Sequence, residues 1–483
     1  MNVIHISAEC YPVAKAGGLG DVVGALPKYL NRSGHKASVI LPHYHNKWMQ
    51  SAETEMIFES EALLGSSLFS FHVSKLVDPD LGFDLFLIDI PGRFDRPGVY
   101  LDPWSGYPYW DEKERFFSFQ IAALEWINQR NNKPDIIHCH DHHTALIPFM
   151  TSYCNRYHGL NDVPTVLTIH NGEYQGRYDF GSTVLLPEFD PYKAGLLDWD
   201  GQLNALAAGI KCVWKVTTVS EGYLKELQEF CHGLEILLRD ERDKSIGILN
   251  GIDSEIWDPA TDTYLDENFS LRNYKVGKSK NKQLLGDIFR LDIDRPLFAF
   301  IGRLVIEKGA DLLPDLIREC NYREVDASFL VLGTGDPYLH SVFEGLQNES
   351  VGYFDSRLEY NEKLAHLIYA GSDFLMMPSR VEPCGLNQLY SMRYGTIPVV
   401  RKVGGLADTV IDIDDKDGYG IVFENFDLHE AMQSITKAVS LYNKKRELSA
   451  IRRKIMSLDF SWIKAAENYV QMYKSMKSNK VKT

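Results

Sequence analysis

The sequence lacks the features that disulfide-rich and membrane-spanning proteins need. Its seven cysteines are an odd number, lie far apart and include no C-x-x-C pair, so neither a disulfide framework nor a zinc knuckle is expected. No apolar run approaches the roughly 18 to 20 residues that span a bilayer. The first residues show no basic segment followed by an apolar one. We therefore expect a cytoplasmic protein that does not contact a membrane.

Positive charge is also scarce. The chain has 51 lysine and arginine residues against 66 aspartate and glutamate residues, which gives a formal net charge of -15. This balance opposes binding to nucleic acid or to anionic lipid, and neither is expected as a partner. An anionic ligand must therefore meet positive side chains that are concentrated at its site.

The length and composition suit a globular protein with a large core. The chain has 483 residues, of which 45% are hydrophobic, and this predicts two or three domains. Short apolar runs that precede amphipathic stretches predict an α/β fold with parallel sheets. The predicted strands cover residues 3–8, 37–42, 84–90, 135–140, 165–170, 215–220, 297–302, 328–333, 374–379 and 397–402.

The predicted strands form two series with a polar stretch between them. Because residues 258–282 are rich in Asn, Asp and Lys and show no apolar periodicity, we place a linker at 255–285. It separates a first domain, at 1–254, from a second, at 286–459. A helix at 460–475 is assigned to the first domain, and the lysine-rich end after it is expected to fray.

A glycine-rich segment, KAGGLGDVV at 15–23, could bind phosphate. Gly17 and Gly18 relax the backbone at a strand-to-helix turn and let main-chain amides approach an anion, while Lys15 adds a positive charge. The segment has neither the GK[ST] of a Walker A site nor the spacing G-x-G-x-x-G. Taken alone, it is more simply a tight turn with a solvated lysine. A similar segment, KVGGLADTV at 402–410, suggests two similar folds in tandem.

Two segments of the second series carry charge at the ends of strands, the edge where open α/β sheets bind ligands. Arg303 and Lys308 suit a diphosphate whose negative charge grows as a sugar leaves it, with surface solvation as the alternative. Glu382 precedes a predicted helix, where its carboxylate can either bind sugar hydroxyls or cap that helix. The neighbouring residues assigned to substrate binding are Cys384, Gly385, Leu386 and Asn387.

The run IIHCHDHH offers a different chemistry. It resembles the metal-binding site of a metal-dependent hydrolase. The candidate ligands are His138, His140, Asp141, His142 and His143. The H-x-H-x-D-H pattern of such hydrolases fails by one position, because Asp141 directly follows His140. Histidines packed at a sheet edge are the alternative. D-x-D triplets at 198–200 and 412–414 end no convincing apolar strand and are taken as chance.

On these and further segments the chain resembles bacterial glycogen synthases and plant starch synthases. The likeness covers nearly the whole chain and includes SAECYPVAKAGGLGDVVGALPKYL, HCHDHHTALIP, TIHN, AGIKCVWKVTTVS, GILNGIDSEIWDPATD, IGRLVIEKGADLL, PSRVEPCGLNQLYSMRYGTIPVVRKVGGLADTV and DFSW. It implies the GT-B fold, in which two Rossmann-like domains with parallel sheets face each other across a cleft and a C-terminal helix crosses back.

The resemblance also implies the reaction. Glucose would move, with retention at its anomeric carbon, from ADP-glucose or UDP-glucose to the non-reducing end of an α-1,4-glucan such as glycogen. The first domain would hold the acceptor and the second the nucleotide sugar, with no metal or other cofactor. The donor base and the oligomeric state are left open. An inactive glucan-binding protein is an alternative, but all four charged residues named below are present.

The site residues implied by the resemblance begin with these four. Lys15 matches the lysine that contacts the donor diphosphate. Arg303 and Lys308 match the pair that stabilises the leaving nucleoside diphosphate. Glu382 matches the essential carboxylate beside the transferred glucose. No second carboxylate of the kind that retaining hydrolases use can be assigned, so a front-face displacement is expected.

Further positions are implied around the sugar and the base. Asp141 and His170 match residues that face the sugar, and Asn250 lies close to them in the family pattern. Tyr360 matches the tyrosine that stacks on the nucleotide base. His142 departs from the pattern because a tryptophan is frequent there, which puts sugar stacking at that position in doubt. Two other departures near the phosphates could shift the donor preference, namely Asn387 for Thr and Glu307 for Gln.

Overall fold

The structure, a computed structural model, describes residues 1–480. The chain divides into two compact units. Unit 1 comprises residues 1–219, 224–249 and the segment that starts at Trp462, whereas unit 2 comprises residues 220–223 and 250–461. No helix among residues 1–480 is both long and apolar enough to cross a membrane.

Unit 1 contains a nine-stranded sheet in the order β12-β11-β7-β6-β1-β2-β5-β4-β3, while β8, β9 and β10 form a small separate sheet. The strands are β1 (Asn2–Ile6), β2 (Lys36–Pro42), β3 (Thr54–Leu64), β4 (Ser67–Leu76), β5 (Asp84–Asp89), β6 (Ile136–His140), β7 (Thr165–Ile169), β8 (Arg177–Asp179), β9 (Asp198–Trp199), β10 (Gln202–Asn204), β11 (Lys215–Thr218) and β12 (Ser245–Gly247). β1, β6 and β7 are parallel neighbours, so the loops that follow them leave from one edge of the sheet.

The helices interspersed with these strands are α1 (Gly18–Arg32), α2 (Glu112–Gln129), α3 (Ile147–Tyr153), α4 (Ala205–Cys212), α5 (Glu221–Glu229) and α6 (Glu235–Asp240), of which α5 begins in the 220–223 segment of unit 2. α1 begins inside the glycine-rich segment, directly after the N-cap residue Gly17. Its apolar residues recur at helical spacing, and Val22, Leu26 and Leu30 are buried in the core of unit 1.

Unit 2 contains a six-stranded parallel sheet in the order β15-β14-β13-β16-β17-β18. Its elements are α7 (Tyr274–Phe289), β13 (Leu297–Ile301), α8 (Leu313–Tyr322), β14 (Ser328–Leu332), α9 (Pro337–Glu349), β15 (Phe354–Arg357), α10 (Glu362–Gly371), β16 (Phe374–Met377), α11 (Asn387–Arg393), β17 (Ile397–Arg401), α12 (Gly404–Thr409), β18 (Ile421–Phe423), α13 (Leu428–Asn443) and α14 (Lys445–Met456). The strand order reverses between β13 and β16, the kind of switch point at which parallel sheets bind ligands.

All ten strands predicted from the sequence are present, with ends that differ by one or two residues. Most predicted strands run slightly too far, because the chain leaves the sheet just before the polar residues that begin each site loop. The antiparallel hairpin formed by β3 and β4 was not predicted. Many of its side chains are exposed at the sheet edge, so it gives little apolar signal.

The stretch that the sequence analysis assigned to a linker, 255–285, lies within unit 2. It contains most of α7, whose polar residues Lys278 and Asn281 are buried. The Lys278 ammonium donates hydrogen bonds to the carbonyl oxygens of Ala370 and Tyr394 and to the Thr396 hydroxyl, at 2.7 to 3.1 Å. Burial of these polar side chains hid the helical periodicity.

The chain returns to unit 1 through α15 (Trp462–Lys480). Trp462, Tyr469 and Tyr473 are buried in one core cluster with Val3 of β1 and Val22 of α1. The helix predicted at 460–475 therefore begins slightly later and continues to Lys480. Fraying was expected directly after residue 475, but the helix continues to Lys480, and residues 481–483 lie outside the described part of the chain.

Candidate functional site

In unit 2, the loops after β13 and β16 bring Lys308 and Glu382 into contact. The Lys308 ammonium lies 2.7 Å from each carboxylate oxygen of Glu382, and the Ser379 hydroxyl donates a further hydrogen bond at 3.0 Å. The Glu382 side chain is only 6% exposed, against 28% for Lys308. A buried carboxylate with charge-assisted partners is held in a fixed orientation. We call these two residues the charged pair.

The charged pair depends on the backbone of Gly309. This residue has a φ of +68°, and a Cβ atom there would lie 2.1 Å from the carbonyl oxygen of Pro378. A glycine is therefore required for the loop after β13 to pass so close to the loop after β16. The carbonyl of Glu307 joins the same loops, because it accepts hydrogen bonds from the amides of Arg380 and Val381 at 2.8 and 3.2 Å.

Arg303 lies in the same loop as Lys308 and is exposed. Within residues 1–480 its guanidinium forms no hydrogen bond and no ion pair. Unit 2 thus places one uncommitted cation beside one that is held by a carboxylate. An anionic ligand at this edge of the sheet could interact with both cations, because Lys308 can leave the Glu382 carboxylate and bind a phosphate group.

The segment from Cys384 to Asn387 follows Glu382 and leads into the short helix α11. The Asn387 side chain donates a hydrogen bond to the carbonyl of Ile301 at 2.6 Å, which ties the helix to the end of β13. Gly385 has a φ of +71°, and the Leu386 residue is the helix N-cap. The amide side chain at 387 therefore has a structural partner instead of pointing freely toward a ligand.

The second glycine-rich segment supports the loop that carries Glu382. The Gly405 amide donates a hydrogen bond to the Glu382 carbonyl at 3.0 Å, and a Cβ atom at Gly405 would lie 2.0 Å from the Cys384 carbonyl oxygen. Asn250 approaches the same loop, since its backbone partly offsets the raising effect of burial on the pKa of the Cys384 thiol. The Asn250 side-chain oxygen is buried and has no hydrogen-bond partner among the described residues.

Tyr360 follows β15, and β14 separates that strand from β13 in the sheet. Its ring is 80% exposed. An exposed ring can offer a stacking surface to a nucleotide base. The structure does not bring Tyr360 into contact with the charged pair, so its assignment to the base stays a prediction.

In unit 1, the glycine-rich segment is organised by Glu9, a residue that the sequence analysis did not single out. One Glu9 carboxylate oxygen accepts hydrogen bonds from the amides of Ala16 and Gly17 at 2.6 and 2.8 Å. The other accepts one from the Tyr100 hydroxyl at 2.8 Å. The Gly17 amide is therefore committed to a protein carboxylate, and its expected role as a phosphate ligand is not supported.

Lys15 and Gly18 are arranged differently from Gly17. The Lys15 ammonium lies 2.7 Å from a carboxylate oxygen of Asp21 and keeps 40% of its side chain exposed. A Cβ atom at Gly18 would meet no atom within 4 Å. The open space beside Gly18 and the half-exposed lysine leave this end of the segment accessible to an anionic ligand.

Asp141 follows β6 with a backbone that non-glycine residues rarely adopt, at φ 54° and ψ -176°. One carboxylate oxygen accepts hydrogen bonds from the amides of His170 and Asn171 at 2.7 and 3.4 Å. Burial raises the pKa of Asp141 to about 7, and Glu9 adds a smaller raising effect. The two hydrogen bonds act in the opposite direction and lower the pKa. Such a carboxyl changes charge near neutral pH.

His170 ends a chain of three buried imidazoles, His5, His140 and His170, which we call the histidine chain. His5 Nδ1 lies 3.1 Å from His140 Nε2, and His140 Nδ1 lies 3.0 Å from His170 Nε2. Burial lowers the pKa of His5 and of His170 to about 3 and that of His140 well below its ordinary value. Each ring is therefore neutral and carries one proton, so the tautomer of one ring fixes the tautomer of the next.

His138 lies on the same strand as His140 but belongs to a separate set of hydrogen bonds. Its Nδ1 lies 2.7 Å from the Tyr473 hydroxyl of α15, and its Nε2 lies 2.6 Å from the Thr168 hydroxyl. His5, His138 and His140 offer nitrogen atoms close enough to hold a metal ion. Ligation by His138 would require breaking one of these two hydrogen bonds.

His142 and His143 pack together beside Glu112. Their ring centroids are 3.7 Å apart, and His142 Nε2 lies 3.5 Å from a carboxylate oxygen of Glu112. The Nδ1 atoms of both rings are buried and have no hydrogen-bond partner among the described residues. These three side chains are a second group able to hold a metal ion. His142 is the residue whose identity departs from the tryptophan that the resemblance makes frequent at this position.

The D-x-D triplets lie away from these sites. Asp198 accepts a hydrogen bond from the Gly201 amide at 2.9 Å in the turn between β9 and β10. Asp412 and Asp414 each form an ion pair with Lys437 at 2.6 Å. Both triplets therefore have structural partners.

Comparison with known proteins decides the family. The family described as "Starch synthase catalytic domain" matches residues 2–240, and the one described as "Glycosyl transferases group 1" matches residues 285–455. The glycogen synthase of Flavobacterium johnsoniae is 48% identical over 476 residues, which cover 98% of each chain. This chain belongs to the glycogen and starch synthase family of glycosyltransferases. It is a hexosyltransferase with the GT-B fold, as the sequence predicted.

Other members of the glycogen and starch synthase family agree over the full length. The glycogen synthase of a Hydrogenobaculum species is 38% identical over 99% of both chains. The catalytic domain of starch synthase IV from Arabidopsis thaliana, solved bound to ADP and acarbose, matches with a TM-score of 0.85 and 34% identity, over 98% of this chain and 99% of that one. A sucrose-phosphate synthase from Thermosynechococcus elongatus, at 16% identity and a TM-score of 0.61, shares the fold.

Proposed function

We propose that this glycosyltransferase moves glucose from ADP-glucose or UDP-glucose to the 4-hydroxyl at the non-reducing end of an α-1,4-glucan. The observation that carries the proposal is the charged pair at the switch point of the unit 2 sheet, with the exposed Arg303 in the same loop as Lys308. A solved relative bound to ADP and acarbose supports a nucleotide donor and a glucan acceptor. The reaction would take place in the cytoplasm, where the seven free cysteines stay reduced.

In this proposal the cations of unit 2 stabilise the leaving diphosphate. As the bond between the anomeric carbon and the phosphate oxygen breaks, negative charge grows on the diphosphate. Lys308 turns from Glu382 to the phosphate, and Arg303 adds a second positive charge. Protein cations then meet the charge that a divalent metal ion meets in other transferases, so no metal is needed for this step.

Glu382 takes a different role once Lys308 has turned. Its carboxylate, still held by the Ser379 hydroxyl, accepts hydrogen bonds from sugar hydroxyls and orients the ring. Bond formation between the anomeric carbon and the acceptor 4-oxygen occurs on the face from which the diphosphate leaves. The proton of the acceptor hydroxyl passes to the departing phosphate oxygen, which balances the reaction without a second carboxylate.

The histidine chain of unit 1 orients hydroxyls without adding net charge. His170 is neutral because burial lowers its pKa to about 3, and its tautomer is set by the histidine chain. Asp141 holds the His170 backbone amide and can accept or donate a proton near neutral pH. Lys15 supplies a cation in this unit when its ammonium leaves the ion pair with Asp21 and binds the anionic ligand.

The proposal is tested by measuring nucleotide release from ADP-glucose and from UDP-glucose in the presence and absence of glycogen. We expect release that depends on glycogen, with at least one of the two donors. The product should lose the new glucose to β-amylase, which removes α-1,4-linked maltose units from non-reducing ends. Release that does not require glycogen, or label that β-amylase cannot remove, would contradict the proposal.

A further inference from the structure

Residues 101–110, with the sequence LDPWSGYPYW, form a hairpin in unit 1 that exposes three large aromatic rings. Trp104 is 83% exposed, Tyr107 is 74% exposed and Trp110 is 87% exposed. Two tryptophans and a tyrosine within seven residues are costly to leave in water, because each ring forgoes the burial that normally stabilises it. We call residues 101–110 the aromatic hairpin.

The backbone of the aromatic hairpin is held in one conformation by its own hydrogen bonds. The Asp102 amide donates to the Tyr107 carbonyl at 2.9 Å, and the Gly106 amide donates to the Asp102 carbonyl at 2.8 Å. The Asp102 carboxylate accepts from the Trp104 amide and the Ser105 hydroxyl, both at 3.0 Å. Exposure of the three rings is therefore a property of a formed turn.

Buried groups anchor the base of the hairpin. Both terminal nitrogens of Arg96 donate to the carboxylate of Asp111, at 2.6 and 2.8 Å, and Asp111 is 1% exposed. The Tyr109 ring contacts two cations, 4.8 Å from the Arg96 guanidinium and 4.7 Å from that of Arg115. The side chains on either side of the exposed rings are thus fixed to the body of unit 1.

The charge of the hairpin selects among ligands that stack on aromatic rings. Nucleic-acid bases stack on such rings, but proteins that bind single strands pair the rings with basic side chains. Residues 101–110 contain no lysine or arginine, and their one acidic residue, Asp102, has its carboxylate engaged within the turn. A neutral ligand with flat apolar faces fits this surface. The pyranose rings of an α-glucan have such faces.

The aromatic hairpin is also continuous with the candidate site of unit 1. Tyr100 directly precedes it and donates its hydroxyl proton to Glu9, the carboxylate that holds the amides of the glycine-rich segment. The Tyr100 ring also stacks on His143 at 4.7 Å. A polymer bound on the hairpin would therefore lie next to the groups that we assign to sugar binding.

We propose that the aromatic hairpin is an α-1,4-glucan binding surface on which Trp104, Tyr107 and Trp110 stack against glucose rings of the acceptor polymer. It holds a glucan segment outside the reacting end and so raises the affinity for long acceptors. Several weak stacking contacts on one polymer act together, because each bound segment raises the effective concentration of the next. This inference rests on the proposed function, from which it takes the identity of the polymer.

The test compares the triple variant Trp104→Ala, Tyr107→Ala, Trp110→Ala with a matched control. The control replaces three tyrosines of similar exposure elsewhere, Tyr192→Ala, Tyr322→Ala and Tyr338→Ala, whose rings are 95%, 83% and 74% exposed. The hairpin variant should show a KM for glycogen about tenfold higher and less retardation in a native gel that contains glycogen. Its KM for the nucleotide sugar and its kcat/KM with maltotriose should change by less than about twofold.

Each outcome separates this inference from the proposed function. If the wild-type protein transfers glucose to glycogen but the hairpin variant matches the control in KM and gel retardation, the binding surface is wrong and the proposed function stands. Equal losses with maltotriose and glycogen would also overturn it, because the rings would then serve the reacting end. A melting temperature equal to that of the control shows that the triple variant is folded. If the triple variant is not folded, the single variant Trp110→Ala is used for the same comparison.

Discussion

Unit 1 and unit 2 each place candidate groups where the parallel strands of their own sheet end. The two sets differ in charge. Unit 2 presents formal charges, the charged pair and Arg303, in loops that are partly open to solvent. Unit 1 presents neutral imidazoles and a carboxyl whose pKa burial raises to about 7. Charged loops suit a diphosphate, whereas buried neutral groups suit hydroxyls, whose recognition needs direction more than charge.

The two units also differ in how their loops are held. In unit 2, glycines allow backbones to touch, as Gly309 does against Pro378 and Gly405 against Cys384. In unit 1, a buried carboxylate holds the loop in place, since Glu9 accepts hydrogen bonds from two amides of the glycine-rich segment. Similar glycine-rich sequences therefore serve different ends, and their resemblance alone does not identify the groups that bind phosphate.

The largest effect should come from breaking the charged pair. Glu382→Gln keeps the shape of the side chain but removes the charge that holds Lys308 and orients the sugar. We expect kcat to fall by about 10²- to 10³-fold. Lys308→Gln should cause a similar loss, and the double variant should lose much less than the product of the two, because the residues act as a unit. Near-wild-type turnover in a folded Glu382→Gln protein would rule out its assigned role.

Glycine substitutions should separate the two kinds of loop. Gly309→Ala places a methyl group against the Pro378 carbonyl at a positive φ, so it should lower the melting temperature and displace Lys308, with a loss of kcat of roughly 10²-fold. Gly18→Ala meets no protein atom within 4 Å. It should leave the melting temperature unchanged and raise the donor KM several-fold. Equal melting temperatures for the two variants would contradict the difference that we describe.

The histidine chain can be tested against a neighbour on the same strand. His140→Gln interrupts the contact that orients His170, so kcat should fall by roughly 10- to 100-fold while the donor KM changes little. His138→Gln is the control, because His138 bonds to Tyr473 and Thr168 and not to His170. It should lower the melting temperature more than kcat. The same kcat in both variants would show that the chain has no positioning role.

Asp141 should make the stability of the protein depend on pH. Its pKa is about 7 in the folded chain and near 3.8 when unfolded, so the unfolded state releases the proton first. The stability that the protonated carboxyl contributes is therefore present below pH 4 and lost as the pH rises to 7, by roughly 4 kcal/mol. Asp141→Asn lacks this dependence. The melting temperature of Asp141→Asn should rise relative to that of the wild type as the pH increases from 4 to 8. A difference between the two melting temperatures that is constant with pH would mean that the pKa of Asp141 is not raised.

Chelation should have the smallest effect. Because the proposed function assigns the diphosphate charge to protein cations, EDTA should leave turnover unchanged within about twofold. The control is His142→Trp, which removes a ligand from the group formed with Glu112 and His143 and should respond to EDTA as the wild type does. Loss of activity with EDTA in the wild type, restored by added zinc or magnesium, would return the histidine clusters to consideration as a catalytic metal site.

The sequence by itself determined ten of the strands, the family and most of the charged residues of the site. Strands are readable because buried parallel strands are continuous apolar runs, and residues such as Lys308 and Glu382 stand directly after them. Glu9 could have been found by the same rule, as a carboxylate just beyond β1 and shortly before the glycine-rich segment. The sequence also determined the aromatic content of residues 101–110, although not its exposure.

Only the tertiary structure decided which groups pair. Lys308 contacts Glu382 across 74 residues of sequence and His5 contacts His140 across 135, whereas Glu9 binds the Gly17 amide only eight residues away. The position of α7 was decided in the same way, because Lys278 is buried only where carbonyls of other elements can accept its hydrogen bonds. The physical reason is common to all four. A polar side chain does not reveal in the sequence whether water or a distant partner will satisfy it, and only the fold supplies that partner.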